Sequence, residues 1–227
     1  PRSTPLYSSA ASDVYKRQVQ DMSNAFESSY IRGVDIEDWD VSSVTNFQYM
    51  FHYSEVAPDL GRWNTGSATS MSSMFHGNRN FKGDIAGWDV SSVANFDNMF
   101  YRSGSVSGIA PDLSRWNTGS ATSMSQMFRE NHNFNSNIGG WDMSHVVVGN
   151  YMFGDAKSFN QVGQAKSFSV WLLRHDVVFG LALNPRWFVR RPFAFLTLCI
   201  TSVNVHDISP WDMSNFENAY GMFYNAA

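Results

Sequence analysis

The chain has 227 residues, of which 43% are apolar, 16% charged and 15% aromatic, and this supplies enough apolar surface for a core. Its formal charge of -4 excludes the basic field that non-specific binding to nucleic acid requires. A single cysteine, Cys199, excludes an internal disulfide and a cysteine-cluster zinc site. No apolar run reaches the ~18 residues that a membrane-spanning helix needs.

The first segment, residues 1-18, contains no repeat and is predicted to be a non-native or disordered leader. It lacks the apolar stretch of a secretory signal peptide, so no signal is visible in this chain. We expect the chain to be a fragment of a longer array whose terminal caps are missing.

A repeat occupies residues 19-161 and ends with a final partial unit at 207-227. Tryptophan recurs there at spacings of 24, 25, 28 and 25 residues, and a Met-Phe pair begins 11 residues after each of the six repeat tryptophans. A period of this size predicts stacked units that bury the same positions above one another. The columns predicted to form the core are Trp39, Trp63, Trp88, Trp116, Trp141 and Trp211 with Met50-Phe51, Met74-Phe75, Met99-Phe100, Met127-Phe128, Met152-Phe153 and Met222-Phe223.

Each unit predicts one strand and one helical turn. The spacing Ile36-x-x-Trp39-x-Val41 matches a leucine-rich-repeat strand, in which alternate apolar residues point inward. Asn46 is a good helix N-cap, and apolar residues follow it at the first, fourth and fifth positions, on one face of a helix. The predicted fold is therefore an α/β solenoid, a leucine-rich-repeat-like stack of ~25-residue coils, each with a short strand and a short helical turn. Phe81, Phe134 and Phe159 are expected to fill the core beneath the return loops.

Residues 162-206 interrupt the repeat. Their composition differs from that of the repeat units, with a local net charge of +4 and a dense apolar run. Removing these 45 residues would restore the 25-residue spacing between Trp141 and Trp211. We interpret the segment as a non-repeat insertion that is not part of the folded array, with a retained intron or gene-model error as the preferred explanation. A genuine inserted hairpin and a membrane-binding insertion are the alternatives.

The units WDVSSVTNFQYMF and WDVSSVANFDNMF, with SFNQ at 158-161 and DISPWDMS at 207-214, resemble one protein family. They are similar to the BspA-type leucine-rich-repeat surface proteins, in particular the branch known as a domain of unknown function, found in mycoplasma lipoproteins and protists. The resemblance implies an extracellular or cell-surface protein used for adhesion or binding, with no established catalytic residues. Gly149 and Ala219 depart from the family, which expects a large apolar residue there, so we expect looser packing in the last coils.

No motif for catalysis is found. The six histidines form no H-x-x-x-H or H-E-x-x-H pair, and no nucleophile elbow or phosphate loop occurs. His76 and His132 are expected to be exposed loop residues. We therefore expect no enzyme activity, no catalytic residues, no cofactor and no metal.

Two polar columns recur in the repeat. Asp or Asn four residues before Trp is expected to cap a turn by accepting backbone N-H bonds. Asp or Asn also follows each of the six repeat tryptophans, where it should face outward. We expect this polar strip to form an amide and carboxylate ladder and the binding face, with calcium binding as a rival explanation. This outward strip comprises Asp40, Asn64, Asp89, Asn117, Asp142 and Asp212.

Three functions remain open. The first is a non-enzymatic module that binds protein or glycan, and the second is a purely structural surface or matrix scaffold. The third is ice or mineral binding through the threonines of residues 65-69 and 118-122, which only alternate coils carry.

Overall fold

The computed structural model describes residues 19-30, 36-55, 59-81, 83-104, 111-159 and 211-226. The predicted leader and the predicted insertion lie outside these ranges. The described residues form coils 1 to 7, numbered in chain order, and each coil is joined to the next by a single isolated parallel bridge. Within the described ranges there is no helix and no strand longer than one bridging residue. The bridges join Asp21 to Asn46, Asn46 to Ser70, Ser70 to Asn95, Asn95 to Ser123, Ser123 to Val148 and Val148 to Asn218.

The predicted α/β solenoid of strand-plus-helix coils is wrong, because backbone hydrogen bonds after the bridge run between coils. In coil 2 the N-H groups of Phe47 and Tyr49 donate to the carbonyls of Ser70 and Ser72 in coil 3, both at 3.0 Å. The intervening Met50 N-H closes a tight turn onto the carbonyl of Phe47, at 3.2 Å. An α-helix would bond each N-H to the carbonyl four residues back. The segment therefore alternates inter-coil bonds with tight turns.

The predicted strand is also made of turns. The N-H of Trp39 donates to the carbonyl of Ile36 at 3.2 Å, and that of Val44 donates to Val41 at 2.9 Å. The bridging residue lies further on, at Asn46, where a helix N-cap was predicted. Its side chain does accept an N-H bond, from Gln48 at 3.0 Å, but this bond opens a turn and not a helix.

Left-handed residues explain why no helix forms. Tyr49 and Tyr53 have φ of 59° and 50°, and the corresponding two positions are left-handed in all seven coils. Glycine occupies one of these positions in two coils, Gly77 and Gly221. A left-handed residue redirects the chain and cannot continue a right-handed helix.

The predicted Trp, Met and Phe core is confirmed with two exceptions: Trp39 is 42% exposed and Phe223 is only partly buried. One phenylalanine from each coil forms a ladder along the stack, with successive ring centroids 5.3 to 5.7 Å apart. The loop residues Phe81, Phe134 and Phe159 are buried and pack on this ladder at 3.7 to 4.1 Å, as predicted. The phenylalanine ladder comprises Phe26, Phe51, Phe75, Phe100, Phe128, Phe153 and Phe223.

Each buried tryptophan also ties its coil to the preceding one. The indole N-H of Trp63 donates to the carbonyl of Ile36 at 2.9 Å, and that of Trp88 donates to Leu60 at 2.9 Å. Trp116, Trp141 and Trp211 repeat the bond. Because a buried indole N-H needs an acceptor, the core sets the register of the coils.

Coils 6 and 7 are direct neighbours although their bridging residues, Val148 and Asn218, lie 70 residues apart in sequence. The rings of Phe153 and Phe223 stack at 5.3 Å, as they do between coils that are consecutive in sequence. Coil 7 therefore packs directly on coil 6, as the next coil of the stack.

The expected loosening at Gly149 is wrong, because the next coil fills the space. A Cβ at Gly149 would lie 2.5 Å from the ring of Phe216, which is 1% exposed. Ala219 is also buried. Gly149 lies eight residues after its repeat Trp, and Phe216 lies five residues after the next repeat Trp. Along the stack, the residues at these two positions vary in opposite directions: where one is large, the other is small. These pairs are Phe47 with Ala68, Met71 with Val93, Phe96 with Ala121, Met124 with Val146 and Gly149 with Phe216.

Candidate functional site

The outward strip lies at the surface, and each of its side chains forms a turn. In coils 2 to 7 the Oδ1 atom accepts the N-H of the residue two further on, at 2.9 to 3.2 Å. This bond gives a structural reason for Asp or Asn after each repeat tryptophan. The ladder between coils and the binding role stay predictions. The exposed strip residues are Asp40, Asn64, Asp89, Asn117, Asp142 and Asp212.

The turn bonds also favour the ionised carboxylates. The hydroxyl and the N-H of Ser91 lower the pKa of Asp89, and those of Ser144 lower the pKa of Asp142. These two carboxylates therefore stay ionised at mildly acid pH.

We expect Asp89→Ala to lower the free energy of unfolding by about 1 kcal/mol, because the N-H of Ser91 loses its acceptor. Asp89→Asn should cost less than half as much, since neighbouring coils use Asn at this position. Urea denaturation of both variants measures the difference. Equal losses would show that charge, and not the turn bond, explains the column.

The second polar column caps turns as predicted in coils 3 to 6, while its members Asp35 and Asp207 lie outside the described residues. Asp59 accepts the N-H of Gly61 and Asp84 accepts that of Ala86, both at 3.0 Å. Asp112 and Asn137 repeat this bond in coils 5 and 6.

The predicted threonine row is only partly at the surface. Thr65 and Thr118 are 1% exposed, and their hydroxyls donate to the carbonyls of Asp89 and Asp142 in the next coil. These threonines tie coils together within the core.

A second surface, which the repeat pattern did not predict, follows the left-handed turns around the Met-Phe pairs. Its side chains contact one another from coil 2 to coil 7. A signal was available, because six of the nine tyrosines lie within two positions of a Met-Phe pair. We call this surface the tyrosine ridge: Tyr49, His52, Tyr53, His76, Tyr101, Arg102, Arg129, Glu130, Tyr151, Tyr220 and Tyr224.

The ridge begins with stacked imidazole and phenol rings. His52 Nδ1 lies 2.9 Å from a carboxylate oxygen of Glu27, and its ring centroid lies 4.7 Å from that of His76. The His76 ring stacks on Tyr101 at 4.6 Å. The first half of the ridge is therefore a row of rings, and the carboxylate of Glu27 lies at its coil 1 end.

Ionic pairs and cation-π contacts continue the ridge. Glu130 accepts hydrogen bonds from the Arg102 guanidinium at 2.7 Å and from the Tyr101 hydroxyl at 2.9 Å. The Arg102 bond is the main cause of a lowered pKa at Glu130. The Arg129 guanidinium lies between Tyr101 and Tyr151, 5.6 and 4.9 Å from their ring centroids. Tyr151 in turn contacts Tyr220 and Tyr224.

Two tyrosine rings rest on glycines of the next coil. A Cβ at Gly77 would lie 2.4 Å from the ring of Tyr53, and one at Gly221 would lie 2.5 Å from that of Tyr151. Tyr53 keeps 46% of its surface exposed. Glycine thus seats the ring against the backbone while leaving much of it accessible to solvent.

His76 was expected to be exposed, and this is wrong: its Nε2 atom is buried and has no hydrogen-bond partner among the described residues. Burial, aided by the nearby His52, lowers the pKa of His76 from 6.5 to about 4. The imidazole is therefore neutral in the folded protein at pH 7.

The pKa of His76 predicts a loss of stability on acidification. Because the unfolded chain binds this proton near pH 6.5 and the folded chain only near 4, stability falls between these values and levels off below 4. We expect about 1 to 2 kcal/mol after allowance for partial exposure of the ring. Melting curves from pH 7 to 4.5 should show a steeper decline for the parent protein than for His76→Phe. Parallel declines would contradict the prediction.

The described ranges contain no group of three or more His, Cys, Asp and Glu residues arranged to hold a metal. No helix long and apolar enough to cross a bilayer is found in the part of the chain that the structure covers.

The geometry defines a class of protein: a stack of repeated, turn-built coils with a ladder of aromatic rings inside and the tyrosine ridge outside. The family model described as "Mycoplasma protein of unknown function, DUF285" matches residues 9-110, 108-171 and 198-227, so the chain belongs to this family. The match begins within the predicted leader and breaks within the predicted insertion. No curated protein and no solved structure matches the chain.

Proposed function

We propose that the chain is a non-enzymatic binding or adhesion module for a protein or glycan ligand, and that the tyrosine ridge is its binding face. The observation that carries the proposal is the exposure of Tyr53, Tyr220 and Tyr224, at 46 to 49%, on the same ridge as Arg102 and Arg129. Tyrosine and arginine dominate the energetics of protein recognition surfaces. Large, partly exposed rings in one continuous row are typical of a surface that contacts a partner.

The rigidity of the ridge also supports this proposal. The N-H groups of Tyr53 and Tyr151 are fixed to the next coil by backbone bonds of 2.7 and 2.9 Å, and both rings rest on glycines. A preorganised surface loses less conformational entropy on binding than a flexible loop does.

Location at the cell surface or outside the cell belongs to the same proposal. It is supported by the resemblance to the BspA-type surface proteins. The family match itself assigns no location to the chain. The absence of enzyme activity is also proposed, because the sequence has no nucleophile, phosphate-loop or paired-histidine motif.

A purely structural scaffold is the second candidate. One observation favours it: both polar columns are used in forming turns, as in the bond from Ser91 to Asp89 and that from Gly61 to Asp59. Ice or mineral binding is weaker, because Thr65 and Thr118 are buried.

The experiment is a binding screen of the purified chain on arrays of glycans and extracellular proteins. We expect binding that falls at least tenfold in Tyr53→Ala and stays unchanged in the strip variant Asp89→Asn. Binding lost only in the strip variant would place the binding face on the strip instead. Absence of binding to either array would contradict the proposal and favour the scaffold.

A further inference from the structure

We propose that the ligand of the tyrosine ridge is an uncharged glycan chain that lies along the stack axis. This inference rests on the proposed binding function and adds the chemical class of the ligand. Tyr53, Tyr220 and Tyr224 would stack against sugar rings, and Arg102 with Glu130 would supply hydrogen bonds to hydroxyl groups.

The charges of the ridge favour an uncharged ligand. Arg102 pairs with Glu130 at 2.7 Å, Arg129 lies 3.9 Å from the same carboxylate, and His52 pairs with Glu27. The two guanidinium charges are thus offset by the two carboxylates of Glu130 and Glu27, which leaves little net charge along the ridge. The whole chain carries a formal charge of -4, which further disfavours a polyanion. A neutral hydroxyl-rich polymer can bind without separating these ion pairs.

The shape of the ridge favours a chain over a globular partner. With coils ~4.8 Å apart, the row of contacts across coils 2 to 7 is about 24 Å long. It is narrow, because it follows a few positions around the Met-Phe pair, and the pair itself is buried, as Met99 and Phe100 show. A stable protein interface usually needs a broad patch of about 800 Å² on each partner.

The exposed tyrosines mark the two ends of the ridge and suit a linear polymer. Tyr53 belongs to coil 2, and Tyr220 and Tyr224 belong to coil 7, so the exposed rings are five coil spacings or ~24 Å apart. A glycan of several pyranose rings can span this length. Sugar rings carry C-H groups on their faces and hydroxyls at their edges, which suits an exposed tyrosine ring beside an ion pair. The hydroxyl of Tyr101 is already bonded to Glu130, so the half-exposed Tyr53 is the principal stacking site.

The test is affinity gel electrophoresis of the full chain in gels that contain laminarin, xyloglucan or galactan, with heparin and alginate as polyanions. We expect at least one neutral glycan to retard the parent protein and heparin not to do so. Retardation should fall at least tenfold in Tyr53→Ala and in the Tyr220→Ala/Tyr224→Ala double variant. Tyr53→Phe should keep it, because the phenyl ring still stacks, and Asp89→Asn on the strip serves as the matched control.

Melting temperatures within about 2 °C of the parent would show that the variants remain folded. Retardation by polyanions alone, neutral binding that the ridge variants leave intact, or no binding to any glycan in the panel would each overturn the inference. Binding on the protein array without glycan binding would overturn the glycan ligand while leaving the proposed binding function standing. Absence of binding in both assays would overturn both.

Discussion

Phe100→Ala is expected to lower the free energy of unfolding by about 3 to 5 kcal/mol. Phe100 is fully buried and stacks between Phe75 and Phe128, with ring centroids 5.7 Å away on each side. It also contacts Trp116. Removing the ring would open a cavity in the middle of the phenylalanine ladder, where coils on both sides lose contacts. Urea denaturation followed by tryptophan fluorescence measures the loss.

Two matched variants control for this prediction. Phe100→Leu keeps most of the volume and should cost less than about 1.5 kcal/mol. Tyr53→Ala removes a ring of similar size from the surface and should cost less than 1 kcal/mol, on the order expected for a surface change. A loss in Phe100→Ala no larger than that in Tyr53→Ala would contradict the ladder as the centre of the core.

Phe216→Ala is expected to cost about 3 to 5 kcal/mol, because this ring fills the space above Gly149. Gly149→Phe alone should also destabilise the chain, by about 1 to 3 kcal/mol, since a Cβ at this position would lie 2.5 Å from the Phe216 ring. The double variant Gly149→Phe/Phe216→Ala places a large residue in coil 6 and a small one in coil 7. This is the order of sizes that Phe96 and Ala121 have in coils 4 and 5. We therefore expect it to recover most of the lost stability.

A double-mutant cycle measures this coupling directly. Phe216→Ala combined with the distant surface change Asp89→Asn is the control, and its two effects should simply add. Additive losses in the Gly149 and Phe216 pair would mean that the two residues do not share one space.

The hydrophobic core could be predicted from the sequence, because burial follows residue type and repeat period. The Trp, Met and Phe columns are buried as expected in nearly every coil, and so are the loop residues Phe81, Phe134 and Phe159. Turn capping by Asp59 and Asp84 was also predictable, since their short side chains reach only nearby N-H groups.

The backbone path could not be predicted, because one pattern fits two structures. An Asn such as Asn46 accepts nearby N-H bonds both at a helix N-cap and in a tight turn. The apolar spacing after it suits a helical turn as well as the observed alternation of turns and inter-coil bonds. The difference lies in the left-handed φ of Tyr49 and Tyr53, which tyrosine rarely adopts. Gly77 and Gly221 at the same positions were the available signal.

The tyrosine ridge was not predicted for the same reason. A helix at the Met-Phe pair would place Tyr49 and Tyr53 among other surface residues with no special relation between coils. The observed left-handed turns instead bring His52, His76 and Tyr101 into ring contact across three coils. The reciprocal sizes of Gly149 and Phe216 were visible in the sequence, but the contact between the two columns was not.

The most direct test of the stacked-coil arrangement is disulfide formation between coils 6 and 7. The N-H of Glu217 donates to the carbonyl of Val147 at 2.9 Å, and the two residues occupy the same column. In a Cys199→Ser background, the pair Val147→Cys and Glu217→Cys should therefore form a disulfide on mild oxidation of the folded protein. The pair Thr122→Cys and Glu217→Cys, two coils or ~10 Å apart, should not, because a disulfide requires Cα atoms within about 7 Å. Failure of the first pair, or equal formation by both, would contradict the direct stacking of coil 7 on coil 6.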